Sequence, residues 1–195
     1  MSEIEEKTSI KNTVKNYVPR INTTILVLMG LMVAIQIVLE RFLPVLDTGI
    51  SRLSFTFIGR AVCGAVLGPF YGALVGLSAD VLGWFMKQTF AFNPGITFAA
   101  AFRGVVFGIF LFRKQSVVRM VAAAFGDQFI AGLVITTLSL FWFGGIPITW
   151  ATFSVRLIQC SLIFVVEVVF LLLTRKNLFA QIKKYLSVQN REDRI

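Results

Sequence analysis

Apolar residues run through this chain in six stretches separated by short polar breaks. They cover about 22–42, 53–67, 70–86, 95–112, 117–143 and 148–174. A helix of roughly 20 apolar residues crosses the hydrocarbon core of a bilayer, so each stretch reads as a transmembrane span. The second and third are short against that length, and either tilt little or borrow residues from the flanking loops. The breaks carry turn chemistry: Asp47, Gly49 and Arg52 in the first loop, Gly68-Pro69 as a tight turn, Lys87 to Pro94, Arg113 to Ser116, and Gly144-Gly145-Ile146-Pro147. The pattern predicts an all-α integral membrane protein, a bundle of six transmembrane helices. A polar arm (1–20) precedes the six-helix domain (21–175), and a basic amphipathic tail (176–195) follows it.

Composition agrees. Of 195 residues, 56% are hydrophobic, and the mean hydropathy is +0.80, too apolar for a soluble domain of this length. The net charge of +9 raises the question of nucleic acid, but the distribution of Lys and Arg answers it differently. Thirteen of them lie in the N-terminal arm, the loop after the fourth span and the C-terminal tail, against three (Arg41, Arg52 and Lys87) on the opposite side. The positive-inside rule then puts both termini in the cytoplasm of a cell-membrane protein, with the first, third and fifth loops outside. The basic tail suits anionic lipid better than nucleic acid. The long, mixed-charge stretch from Ser2 to Arg20 is not a cleavable signal.

Several chemistries are excluded. There is no histidine, which removes Ser-His and Cys-His catalysis and His-ligated metals. There is no Walker-type phosphate loop. Cys63 and Cys160 lie within apolar runs and read as packed thiols. Asp80 or Glu167 as the acid or base of a membrane-embedded enzyme finds no support in a paired acidic motif, a nucleophile elbow or a metal-ligand spacing. The expectation is a protein with no catalytic residues, no cofactor and no metal.

Six ionisable residues fall inside spans: Arg60, Arg103, Arg156, Asp80, Asp127 and Glu167. Each costs on the order of several kcal/mol in a bilayer unless it is paired or wetted. They are either ion pairs that hold helices together or parts of a site. Depth counting places Arg103, Arg156 and Asp80 in the outer half, and Asp127 and Glu167 toward the cytoplasmic half. An outer cavity with an excess of guanidinium follows, and its fitting ligand is a small organic anion, because the guanidinium fork grips carboxylates in bidentate fashion.

The stretch from Ala91 to Gly108 gathers these features: an Asn93-Pro94-Gly95 turn opens a helix with Ala100, Gly104 and Gly108 on it and Arg103 two turns in. Gly72, Gly76, Asp80 and Trp84 share one side of the third span, and Arg60, Gly64 and Gly68 one side of the second. These glycines serve a packing seam or a pocket wall. Phe98, Trp84, Trp142 and other aromatics near the outer mouth either anchor in the interface or stack on a flat heteroaromatic ligand. In the first span, Gly30 and Ala34 form a small-x-x-x-small pair that packs internally or docks a partner's helix.

Arg52-Leu53-Ser54-Phe55-Thr56-Phe57, the run Leu67-Gly68-Pro69-Phe70-Tyr71-Gly72, the run Ala79-Asp80-Val81-Leu82-Gly83, and Phe92-Asn93-Pro94-Gly95-Ile96-Thr97 resemble the S components of energy-coupling factor (ECF) vitamin transporters. The likeness covers about 30–175, and its last two stretches are most similar to folate-type members. The sequence departs at Arg60, where such members are apolar, and at Gly30, where alanine is more usual. The resemblance implies capture of a vitamin, folate first, from outside, under a cover of loops one, three and five. It also implies a membrane coupling protein of the EcfT type, docked on Gly30 and Ala34, and two cytoplasmic ATPase subunits. Candidate substrate-binding residues are Arg52, Asp80, Trp84, Asn93, Thr97, Phe98, Arg103, Trp142 and Arg156. Pantothenate or a pyridoxine-like compound is the alternative vitamin, and a self-sufficient carrier or channel the alternative mechanism.

Overall fold

The computed structural model describes residues 23–42, 44–47, 52–86, 88, 91–112, 116–144 and 149–175. The polar arm and the basic tail lie outside the described residues, as do Lys87 and the side chain of Arg52. Helix α1 (Thr23–Ile37) ends in a π-helical turn, Val38–Phe42. Strands β1 (Pro44–Asp47) and β2 (Arg52–Ser54) follow, then α2 (Thr56–Met86) and α3 (Pro94–Leu111). A continuous rod comes next: α4 (Val117–Phe125), a π-helical segment (Gly126–Ile135) and α5 (Thr136–Gly144). Helix α6 (Trp150–Thr174) ends the described fold.

Among the described residues, five helices are long and apolar enough to cross a membrane, where the sequence predicts six. The difference lies in α2, a 31-residue run that joins the expected second and third spans. It is broken at Gly68, whose φ of 83° and ψ of −177° are not helical. Glycine reaches that conformation without a Cβ penalty, and Pro69 removes the N–H that would have continued the ladder. The arm 56–67 is about 18 Å long, well short of a hydrocarbon core of about 30 Å.

A second departure lies in the first loop of the otherwise helical fold. The first loop contains an antiparallel hairpin, with Pro44 opposite Ser54, Leu46 opposite Leu53 and Asp47 opposite Arg52, and a bulge between Pro44 and Leu46. Asp47 and Gly49 are turn formers, and proline fits only where the ladder needs no donor, as at this strand's first residue.

The core has two parts. One joins Phe57, Ala61 and Ala65 of α2 to Phe107 and Leu111 of α3, Met120 and Ala123 of α4, and Leu171 of α6. The other sets Ile25 of α1, flanked by Met29 and Val33, against Cys63, Leu67, Tyr71 and Val75 of α2. Between α2 and α3 the backbones nearly touch. A Cβ placed at Gly72 would stand 2.7 Å from the Gly104 carbonyl oxygen, and one at Gly76 would stand 2.5 Å from that of Ala100. A Cβ at Gly104 would meet the Gly72 carbonyl, and one at Gly108 would meet Pro69. This seam fixes two of the helices that carry the polar interior.

Candidate functional site

The mouth is built first. Asn93 caps α3 in an extended conformation, with its side-chain oxygen accepting from the Gly95 N–H at 3.0 Å and Pro94 in the first turn. The same oxygen accepts from Ser139 Oγ at 2.6 Å, and Asn93 Nδ2 donates to the Ser139 carbonyl at 3.1 Å. One amide therefore starts α3 and ties it to α5. One turn further in, Thr97 Oγ1 donates to Asp80 Oδ2 at 2.6 Å, joining α3 to α2. Trp84 lies edge-on to Phe92, with centroids 5.4 Å apart, and to Phe85 at 5.2 Å. Asp80, Trp84, Asn93 and Thr97 thus form one polar and aromatic layer.

About 9 Å deeper along α3 lies a second, charged layer. Asp127 and Glu167 are both 0% exposed. Arg60 Nη2 donates to Thr56 Oγ1 at 2.9 Å and stands 3.8 Å from Asp127 Oδ2. Arg103 Nε is 3.9 Å from Asp127 Oδ1. Gln128 Nε2 donates to Asp127 Oδ2 at 2.9 Å and to Glu167 Oε2 at 2.7 Å. Arg156 Nη2 reaches the Gly132 carbonyl at 3.5 Å. A Cβ at Gly132 would sit 3.4 Å from Arg103 Nη2, so the two arginines converge on that glycine from α3 and α6.

The rod between them makes this possible. Gly126, Asp127 and Gln128 are all buried, and so are Ala131, Gly132 and Leu133. A burial repeat of five belongs to the wide π-helical turn, which is rare and recurs at functional sites. Thr136 Oγ1 donates to the carbonyl of Ala131, five residues back, at 2.7 Å.

Several polar atoms in this layer have no hydrogen-bond partner among the described residues: Nε of Arg60, Arg103 and Arg156, Oδ1 of Asp127 and Oε1 of Glu167. Buried polar groups are normally satisfied, and guanidinium and carboxylate groups with unspent valences are suited to gripping a polar ligand.

Depth counting separated Arg103 from Asp127, and the structure brings the two together. Asp127 lies about 15 Å along its rod and Arg103 about 14 Å along α3, so both sit at mid-depth. Asp127 offsets part of the expected guanidinium excess. Phe98 and Trp142 do not join either layer: they are 63% and 79% exposed and face outward. Arg52 opens β2 in the first loop. Gly30 and Ala34 lie on the exposed side of α1, and among the described residues nothing lies within 4 Å of a Cβ placed at Gly30. Sequence reasoning missed Gln128, Gly132 and Ser139. The adjacency of Gln128 to an intramembrane acid was the available signal for the first, whereas nothing local marks the other two.

Comparison with known proteins gives four findings. A family model described as "ECF transporter, substrate-specific component" matches residues 25–184. The folate transporter FolT of Clostridium novyi (strain NT) is 35% identical over 118 residues, covering 60% of this chain and 67% of that protein. The one from Leuconostoc mesenteroides is 26% identical over 107 residues, covering 54% of this chain and 57% of that protein. A solved structure titled "Crystal structure of FolT bound with folic acid" superposes with a TM-score of 0.72 at 28% identity, covering 77% of this chain and 91% of that one.

Proposed function

This chain belongs to the substrate-specific components of ECF transporters, and we propose that within that family it captures folate from outside the cell for ATP-driven uptake. The observation that carries the reading is the backbone likeness to a chain titled as bound with folic acid. The interior is consistent with such a ligand. Folate offers a flat pterin to Trp84 and Phe92, hydrogen-bonding edges to the outer layer of Asp80, Asn93 and Thr97, and acceptors to Arg103 and Arg156. Arg52 belongs to the loop that covers the mouth. With the two arms of α2 taken as separate spans, the chain crosses six times and both termini are cytoplasmic. A membrane coupling protein docks on the face of α1 that holds Gly30 and Ala34, and two ATPase subunits join it from the cytoplasm.

Calorimetric and tryptophan-fluorescence titration of the purified full chain with folic acid, pantothenate and pyridoxine tests this. Folic acid is expected to saturate the chain at micromolar concentration or below. Binding of another vitamin in its place would reassign the ligand. Hydrogen bonds to charged groups are worth about 1.5–3 kcal/mol each, so replacing Arg103 and Arg156 together by glutamine should weaken folic acid binding on the order of a hundredfold. Unchanged retention by that double variant would remove the arginines from the site.

A further inference from the structure

We propose that Gln128 is a positioning residue that holds Asp127 back from Arg60 and Arg103, keeping the guanidinium groups available to the ligand. The inference rests on the folate reading above. A carboxylate beside two guanidinium groups in a buried layer should close on them, because charge-assisted N–H···O bonds form at about 2.7–2.9 Å. Asp127 does not close. It stands 3.8 Å from Arg60 and 3.9 Å from Arg103, while its Oδ1 and the Nε of both arginines have no hydrogen-bond partner among the described residues.

What it does bond is Gln128. The Gln128 amide nitrogen spends one proton on Asp127 Oδ2, at 2.9 Å, and the other on Glu167 Oε2, at 2.7 Å. Glu167 is 0% exposed and sits on α6. The amide is therefore anchored to a second helix and cannot follow Asp127 toward the arginines without breaking a buried bond. The π-helical segment turns both 127 and 128 inward, which places the restraint beside the group it restrains. The result is a carboxylate close enough to lower the cost of burying two cations, yet too far to saturate them. A ligand acceptor entering the layer finds open guanidinium donors instead of a closed internal ion pair.

The geometry predicts opposite effects on stability and on capture. Asp127→Glu keeps the charge and adds about 1.5 Å of reach, enough to close the gap. Folic acid affinity, measured by calorimetry on the full chain in detergent, should fall tenfold or more. The melting temperature without ligand should equal or exceed that of the wild type. Gln128→Met removes the restraint with little change of volume and should also weaken folic acid tenfold or more. If that variant does not fold, Asp127→Glu decides alone. Affinity of Asp127→Glu within threefold of wild type overturns the proposal. So does a joint fall of affinity and melting temperature, which marks a purely structural role for the pair. A wild-type chain that holds no folic acid overturns the folate reading and this proposal together, whereas a binding wild type with an equally binding Asp127→Glu overturns this proposal alone.

Discussion

Small residues at four-residue spacing do opposite things in two regions of this molecule. In the seam between α2 and α3, Gly72 and Gly104 bring backbone against backbone, with no room for a Cβ on either. On α1, Gly30 and Ala34 occupy an exposed face bordered by Leu26, Val27, Leu31, Ile35 and Val38, all exposed, and nothing stands near Gly30. Helices in lipid gain no hydrophobic energy by meeting, because the lipid tails are as apolar as the side chains, so close association depends on shape and packing. The spacing therefore records that a helix can be approached closely. It does not say whether the partner lies in the same chain.

The largest effect should come from closing the seam. In Gly104→Val the new Cβ alone meets the Gly72 carbonyl, a backbone atom that no rotamer change can move. Overpacking costs typically 1–3 kcal/mol and more where backbone must shift. The variant should lose its monodisperse peak in size-exclusion chromatography or melt far below wild type, with folic acid binding lost alongside. A Gly104→Val chain that melts and binds like wild type would show that the two helices are not held by this contact.

Gly30→Phe should act on assembly alone. The added ring projects from an open face, so melting temperature and folic acid affinity should stay within experimental scatter of wild type. Co-purification of a membrane coupling subunit and its ATPases from a source membrane should fall at least tenfold. The contrast between the two glycines breaks if Gly30→Phe destabilises the isolated chain as Gly104→Val does. It also breaks if the partners still come down with it in full yield.

The same contrast shows what the residue pattern made legible. The Asn93-Pro94-Gly95 cap, the glycine rows and the stop at Gly68 are local chemistry. They could be read because a cap, a close approach and a left-handed φ each demand particular residue types. The pairing of Asp127 with Arg60 and Arg103 could not. Hydropathy gives a span its length, but depth counted along separate helices ignores tilt and the point where each helix starts. The π-helical segment then shifts the facing of everything after Gly126, so a 3.6-residue wheel misplaces the faces beyond it. The hairpin of 44–54 was hidden by brevity, its strands being only a few residues long.

The smallest expected effect concerns the outward aromatics and tests the contrast between lined interior and open exterior at its finest. Phe98 lies one residue from Thr97, yet Thr97 is buried against Asp80 while Phe98 is 63% exposed. Adjacent residues on an α-helix point about 100° apart, which is enough to move a side chain from the site wall to the lipid. Trp142 stands one turn beyond Ser139 and is 79% exposed, although Ser139 is bonded to Asn93. Rings in such positions serve the membrane interface, where one aromatic replaces another at little cost. Phe98→Leu and Trp142→Phe should therefore each leave folic acid affinity within twofold by calorimetry, while Trp84→Ala, which removes a ring packed on Phe92, should weaken it by about tenfold through lost stacking and packing. A tenfold loss in Phe98→Leu or Trp142→Phe would mean that ligand entry turns these rings inward, and that the outer surface of α3 and α5 is part of the mouth rather than a face open to lipid.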